Sequence, residues 1–143
     1  MSARPILLVE DNPHDELLTL RALRRANLVN NIDVVRDGQQ ALDYLFATGE
    51  FSSRKGAELP IVILLDIGLP RLSGLEVLER LRADQRTLLL PVVIFTSSDE
   101  ERDRLKSYEN RCNSFVRKPV DFGAFAETVA HLGMYWVVTN QTP

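Results

Sequence analysis

Four short apolar runs constrain this chain more than any other feature: Ile6 to Val9, Ile61 to Leu65, Val92 to Phe95 and the weaker Ser114 to Val116. Runs this short and continuous, rich in Val and Ile, predict strands buried on both faces. That is the environment of a parallel sheet covered by helices on either side. Ile32 to Val35, with Asp33 inside it, is a fifth candidate.

Helical spacing fills the gaps between these runs. Leu18, Ala22 and Ala26 recur every four residues. Ala41, Leu42, Leu45 and Phe46 form one face of a second stretch, and Leu75, Leu78 and Leu81, joined by Val77, form a third. Phe122, Phe125, Ala126, Val129 and Leu132 mark the last. Ser73 stands three residues before Glu76 and Ser98 three before Glu101, the spacing of a capping box; Asp37 before Gln40 is a looser version. Asp99 to Asn110 is nearly all charged, with Leu105 and Tyr108 as its main apolar anchors. It reads either as a weakly held helix able to move or as an ordinary solvated face. Thr48 to Pro60 reads as an exposed polar loop.

Strands alternating with helices imply an α/β fold: a doubly wound, five-stranded parallel sheet flanked by helices on both faces. The 143 residues suit one domain, which buries roughly two-thirds of its unfolded surface and needs no disulfide or metal for stability. Net charge is −3, against a general nucleic-acid binder. The single cysteine, Cys112, fits a reducing cytoplasm. The N-terminal stretch does not read as a signal peptide, and no apolar run approaches the roughly 18 residues that span a membrane, so no membrane partner is expected.

In open parallel sheets, ligands bind beyond the carboxyl ends of the strands, where strand order reverses. In chain order, with Ile32 to Val35 as the second run, the first is followed by Glu10 and Asp11, the third by Asp66, the fourth by Thr96 with Ser97 and Ser98, and the fifth by Lys118 with Pro119. An acid at the tip of a fully buried strand is costly unless it is paired or bound to a cation. The predicted rim supplies both solutions. Clustered carboxylates repel unless a cation sits among them, and hard oxygen donors suit Mg²⁺. Lys118 is placed to pair with Asp66 at rest and with phosphoryl oxygens later, and Thr96 to donate to a phosphoryl oxygen. Asp66 is then a carboxylate nucleophile, in a transfer that needs mainly positioning and charge neutralisation. Each signal has a plainer reading alone: Glu10 and Asp11 suit a helix cap ahead of Asn12 and Pro13, Lys-Pro a turn, Thr-Ser-Ser a loop. Their joint placement at successive strand ends is harder to assign to chance.

These motifs strongly resemble the receiver domain of two-component response regulators, from about Ile6 to Leu132. The matching segments are "LLVEDN", "ILLDIGLPRLSG", "VVIFTSS" and "FVRKP". The resemblance implies a flavodoxin-like strand order of 2-1-3-4-5. It makes Glu10 and Asp11 the acidic metal pair, with Asp11 the more direct ligand, and Asp66 both phosphoacceptor and metal ligand. It adds the backbone carbonyl of Gly68 to the Mg²⁺ ligands and gives Thr96 and Lys118 the phosphoryl contacts. It also implies a cis Lys118–Pro119 bond, and a switch in which Thr96 moves toward the phosphoryl group as Phe115 turns inward. Phe115 taken alone also fits plain core. Gly68 departs from the family by being small where a larger side chain often sits, and Ser98 occupies a second position that helps to set hydrolysis rate there.

A finer resemblance is to the stand-alone receivers of phytochrome-type histidine kinases. Its cues are the loop Thr48 to Pro60, "VVRDGQQALDYL" and the tail "MYWVVTNQTP". It implies a sensor histidine kinase partner of that type. The expectation is a single receiver with its core at about 5–132, an extension at about 133–143 and no output domain. Output then goes through protein contact or onward phosphotransfer. Met134 to Val138 is read as part of a homodimer surface formed with the last helix, or as packing on its own domain. Three rivals remain: a phosphatase with an Asp66 nucleophile, disfavoured because Gly68 stands where haloacid-dehalogenase-like enzymes need a second acid; a phosphate-free binding module; and a flavodoxin-like cofactor binder, for which no hydroxyl-rich loop follows the first strand. An enzyme acting on an outside substrate is not expected.

Overall fold

The computed structural model describes residues 4–25, 30–97, 101, 111–118, 123 and 127. The strands are β1 (Ile6–Val9), β2 (Ile32–Val35), β3 (Val62–Asp66), β4 (Val92–Thr96) and β5 (Ser114–Arg117), and all pair in parallel in the order β2-β1-β3-β4-β5. The described helices are α1 (Pro13–Arg25), α2 (Gly38–Phe46) and α3 (Gly74–Arg82), with a 3-10 helix at Gly49–Arg54.

Period-two alternation turns each continuous apolar run toward two cores at once. Leu7 and Val9 of β1, Ile63 and Leu65 of β3, and Val92 and Ile94 of β4 face α2 and α3. Ile6 and Leu8, Val62 and Leu64, and Val93 and Phe95 face the opposite way, against Ala22 and Leu23 of α1. Both faces are therefore covered, and this is why the runs show no polar alternation.

β3, β4 and β5 each extend one residue further toward the carboxyl edge than the apolar runs. β3 begins at Val62 and takes in Asp66, paired with Phe95, and β4 takes in Thr96, paired with Arg117. The polar residues are thus the last members of the ladder and inherit its rigidity.

The Ser73 cap is as expected. Its Oγ accepts from Glu76 N–H while Glu76 Oε1 accepts from Ser73 N–H, each at 3.3 Å. Asp37 caps α2 through Gln40 N–H at 2.8 Å, but the return contact slips one residue, to Arg36 N–H. On α1 the anchors are Leu23, Thr19 and Ala22, while Leu18 is only half-buried. The spacing of four through Leu18 and Ala22 misses the neighbour that packs deepest.

The expected open loop at 48–60 is in part structured. Phe51 of the 3-10 helix meets the Tyr44 ring edge-on, centroids 5.5 Å apart, and the Arg54 guanidinium lies 3.6 Å from the ring centre. Arg54 Nε also donates to Tyr44 O. Outside the described residues lie Ala26, Ser98, Pro119 with its peptide bond, all of Asp99 to Asn110 but Glu101, the last helix's apolar positions Phe122, Phe125, Ala126, Val129 and Leu132, and the tail Met134 to Val138.

Candidate functional site

Parallel strands in this order place the ends of β1, β3, β4 and β5 along one edge, with β1 and β3 adjacent where chain order reverses. Glu10 and Asp11 follow β1, Asp66 ends β3, Thr96 ends β4 and Lys118 follows β5. The fold brings all five together.

Helix α1 is capped independently of the acid pair. Asn12 Oδ1 accepts from His14 N–H at 2.9 Å and Asp15 N–H at 3.0 Å, which satisfies the free donors of the first turn. Glu10 and Asp11 are left for the rim. The carboxylate oxygens of Glu10, Asp11 and Asp66 lie within 4.8 Å of one another; Glu10 and Asp66 are buried and Asp11 is exposed.

Lys118 is the counter-charge. Its Nζ stands 2.8 Å from Glu10 Oε1, 3.2 Å from Asp66 Oδ2 and 3.1 Å from Asp15 Oδ2, and its side chain is only 8% exposed. Its backbone N–H donates to Thr96 O at 2.7 Å, tying β5 to the end of β4. Asp66 Oδ1 accepts from Gly68 N–H at 3.0 Å. The start of α3 reaches so close behind Asp66 that a Cβ on Gly74 would collide with the Asp66 carbonyl oxygen. Glycine is required there by proximity.

Burial has the largest influence on Glu10 and pushes its carboxyl up to about 7; Lys118 opposes and the charge of Asp66 reinforces the rise. For Lys118, burial acts downward, but the hydrogen bond to Glu10 and the charges of Asp66 and Glu10 outweigh it and raise the ammonium above its usual range. The cation is therefore firmly charged, held by more acid than it can neutralise. Glu10 Oε1 is fully buried, and among the described residues the Lys118 ammonium at 2.8 Å is its one partner. A buried oxygen in that state, beside two further carboxylates, fits a hard divalent cation. Glu10, Asp11 and Asp66 are the side chains that would hold Mg²⁺.

Phe115 lies on edge strand β5, opposite Ile94, and is 36% exposed. It faces outward in this structure, unlike its neighbour Val116, which fills the core. Two further acids reach the site. Asp15, in the first turn of α1, brings its Oδ2 to 3.1 Å from Lys118 Nζ. Glu101 accepts from Ser97 N–H at 2.7 Å. Only the Ser98–Glu101 pattern hinted at the second.

Residues 6–130 match the Response regulator receiver domain family, and the chain belongs to that family. It is a receiver domain of the two-component signalling kind. Among solved structures it is similar to the bacteriophytochrome response regulator RtBRR, at 50% identity and TM-score 0.88 over 100% of this chain and 85% of that one. It is similar also to the bacteriophytochrome response regulator AtBRR, at 47% identity and TM-score 0.88 over 99% and 100%. Response regulator Rcp1 of Synechocystis is 31% identical over 96% of this chain and 92% of its own. Rcp1 is known in a Mn(2+)-bound form, which matches here with TM-score 0.75 over 99% of each chain. No helix among the described residues is long and apolar enough to cross a membrane.

Proposed function

We propose that this chain accepts a phosphoryl group on Asp66 from a phosphohistidine of a sensor kinase of the phytochrome type, in a Mg²⁺-dependent step, and passes the signal on through a changed surface. The observation that carries the proposal is the Lys118 ammonium 3.2 Å from Asp66 Oδ2, at the point where the oxygens of Glu10, Asp11 and Asp66 gather within 4.8 Å. The similarity to RtBRR, AtBRR and Rcp1 supports the kinase type.

In the step, an Asp66 carboxylate oxygen attacks phosphorus. The new O–P bond forms as the N–P bond to the donor histidine breaks, and the imidazole nitrogen keeps that electron pair. Gly68 N–H and Lys118 hold the carboxylate in place, so little reorganisation precedes attack. Lys118 exchanges its contact with Asp66 for one with a phosphoryl oxygen. The Thr96 hydroxyl, at the adjacent strand end, donates to another. Glu10, Asp11, Asp66 and the Gly68 carbonyl would hold Mg²⁺, which when bound would supply charge neutralisation for the phosphoryl oxygens. Thr96 and Phe115 then act as the switch: the outward phenyl ring turns in as Thr96 is drawn toward the phosphoryl group. Phenylalanine has no hydroxyl, so the switched state is held by packing alone. The chain turns over no outside substrate.

The test is phosphorylation by acetyl phosphate, read on a phosphate-affinity gel, for the native chain and Asp66→Asn, each with Mg²⁺ and with chelator. A parallel arm uses an autophosphorylated bacteriophytochrome kinase as donor. An alkali-labile, acid-stable product only in the native chain with Mg²⁺ is expected from both donors. No product from either donor in folded protein would instead favour a phosphate-free binding module.

A further inference from the structure

The β3–α3 turn and the segment after β4 meet over Asp66. Gly68 has no side chain, yet the space beside it is filled. A Cβ on Gly68 would lie 2.7 Å from Glu101 Oε2 and 3.7 Å from Asp66 Oδ1. Two carboxylates, one of them the acceptor's, thus converge on the spot that a side chain at position 68 would take. The other oxygen of Glu101 is anchored: Oε1 accepts from Ser97 N–H at 2.7 Å and from Ser97 Oγ at 3.0 Å. Ser97 directly follows Thr96, so Glu101 is tied to the end of the strand that carries the site's hydroxyl. The anchoring turns the carboxylate toward the site.

We propose that Glu101 is a gating residue of the phosphorylation site: its carboxylate takes the place of the side chain missing at Gly68 and opposes, by its charge, the approach of anionic phosphodonors to Asp66. The inference rests on the reading of Asp66 as the phosphoryl acceptor. Glu101 makes no bond to the reacting atoms; it acts through the field it adds. Among the described residues, the rim already holds Glu10, Asp11, Asp15 and Asp66 against the single ammonium of Lys118. A further negative charge on the Gly68 side raises the barrier for a donor that is itself negative, and more so at low ionic strength.

The test compares rates of phosphorylation by acetyl phosphate in Mg²⁺, at low and high salt, with thermal unfolding as a check on the fold. The native chain is set beside Glu101→Gln, Glu101→Ala, Gly68→Ala and the double variant Gly68→Ala with Glu101→Ala. Glu101→Gln keeps an acceptor for Ser97 and loses only the charge. It is expected to be modified about three- to tenfold faster at low salt, with the advantage shrinking at high salt. Gly68→Ala keeps the backbone carbonyl and places a methyl group where the flexible end of Glu101 now lies, which evicts the carboxylate. It should give a similar acceleration, and the double variant should be no faster than either single change, because both remove one and the same obstacle. A native chain that is modified at the same rate and with the same salt dependence as Glu101→Gln would overturn the gate while leaving Asp66 as acceptor. Additive accelerations in the double variant would overturn it as well. No modification of any of these folded chains, by acetyl phosphate or by the autophosphorylated kinase, would overturn both readings.

Discussion

At the scale of single residues, burial decides which contacts matter around Lys118. Its ammonium touches three carboxylates at 2.8–3.2 Å, but those partners differ: the Glu10 side chain is fully buried, that of Asp66 is 6% exposed and that of Asp15 is 31% exposed. A charge removed from a buried pair leaves its partner desolvated and unpaired, whereas a partly solvated partner turns to water. Lys118→Met should therefore cost about 3–5 kcal/mol of stability in chelator. Asp15→Asn should cost about 1 kcal/mol or less. Urea unfolding of both variants measures the gap; equal losses would mean that the three contacts are equivalent, contrary to their burial. The five strand-end residues were legible in sequence because each follows a recognisable run. Asp15 was not, and Glu101 was only hinted at by its spacing from Ser98, because what brings them in is the direction of a helical first turn and the packing of Glu101 beside Gly68, both of them tertiary.

At the scale of elements, the 3-10 helix Gly49–Arg54 is held by one residue of α2. Tyr44 is buried, donates its hydroxyl to Asp33 Oδ2 at 2.6 Å, makes a T-shaped ring pair with Phe51 and takes Arg54 on its face. Strand β2, helix α2 and the 3-10 helix thus share one anchor. Burial, then the bond to Asp33, raise the Tyr44 hydroxyl well above its ordinary range. The sign follows: above pH 10 an unfolded tyrosine releases its proton while folded Tyr44 keeps it, so stability falls as pH rises past 10. Tyr44→Phe should remove that added alkaline loss and cost about 1–2 kcal/mol at pH 7, because Asp33 loses a donor. Chemical unfolding of both forms at pH 7 and near pH 10.5 measures the two effects, and a parallel fall in both would contradict the assignment. The segment read as an open loop from its Gly, Ser and charge content for the same reason that it is ordered: its order comes from a tertiary contact with Tyr44. The Ser73 cap was legible because both of its partners lie within four residues. The strands were legible because burial on both faces leaves an unbroken apolar run.

At the scale of the whole molecule, the acids of the rim are brought together only by the fold. Glu10 and Asp11 come from the first strand's end and Asp66 from the third's, more than fifty positions on, and the register of β1 on β3 sets them side by side. An unfolded chain holds no such cluster, so a divalent cation that binds there binds the native state alone and must stabilise it by linkage. Like charges crowded within 4.8 Å and answered, among the described residues, by one ammonium make the same prediction from the opposite direction, since relief of their repulsion is part of the gain. Mg²⁺ at about a hundredfold over its dissociation constant should add about 2.7 kcal/mol to the unfolding free energy. The gain should vary with the logarithm of Mg²⁺ concentration. Asp11→Ala should lose most of it while keeping the fold in chelator, because Asp11 is exposed and is not among the Lys118 partners. Urea titrations across a Mg²⁺ series give both numbers. A native chain whose midpoint ignores Mg²⁺ would show that the three clustered carboxylates do not bind the cation. A gain undiminished in Asp11→Ala would move the cation away from the end of β1.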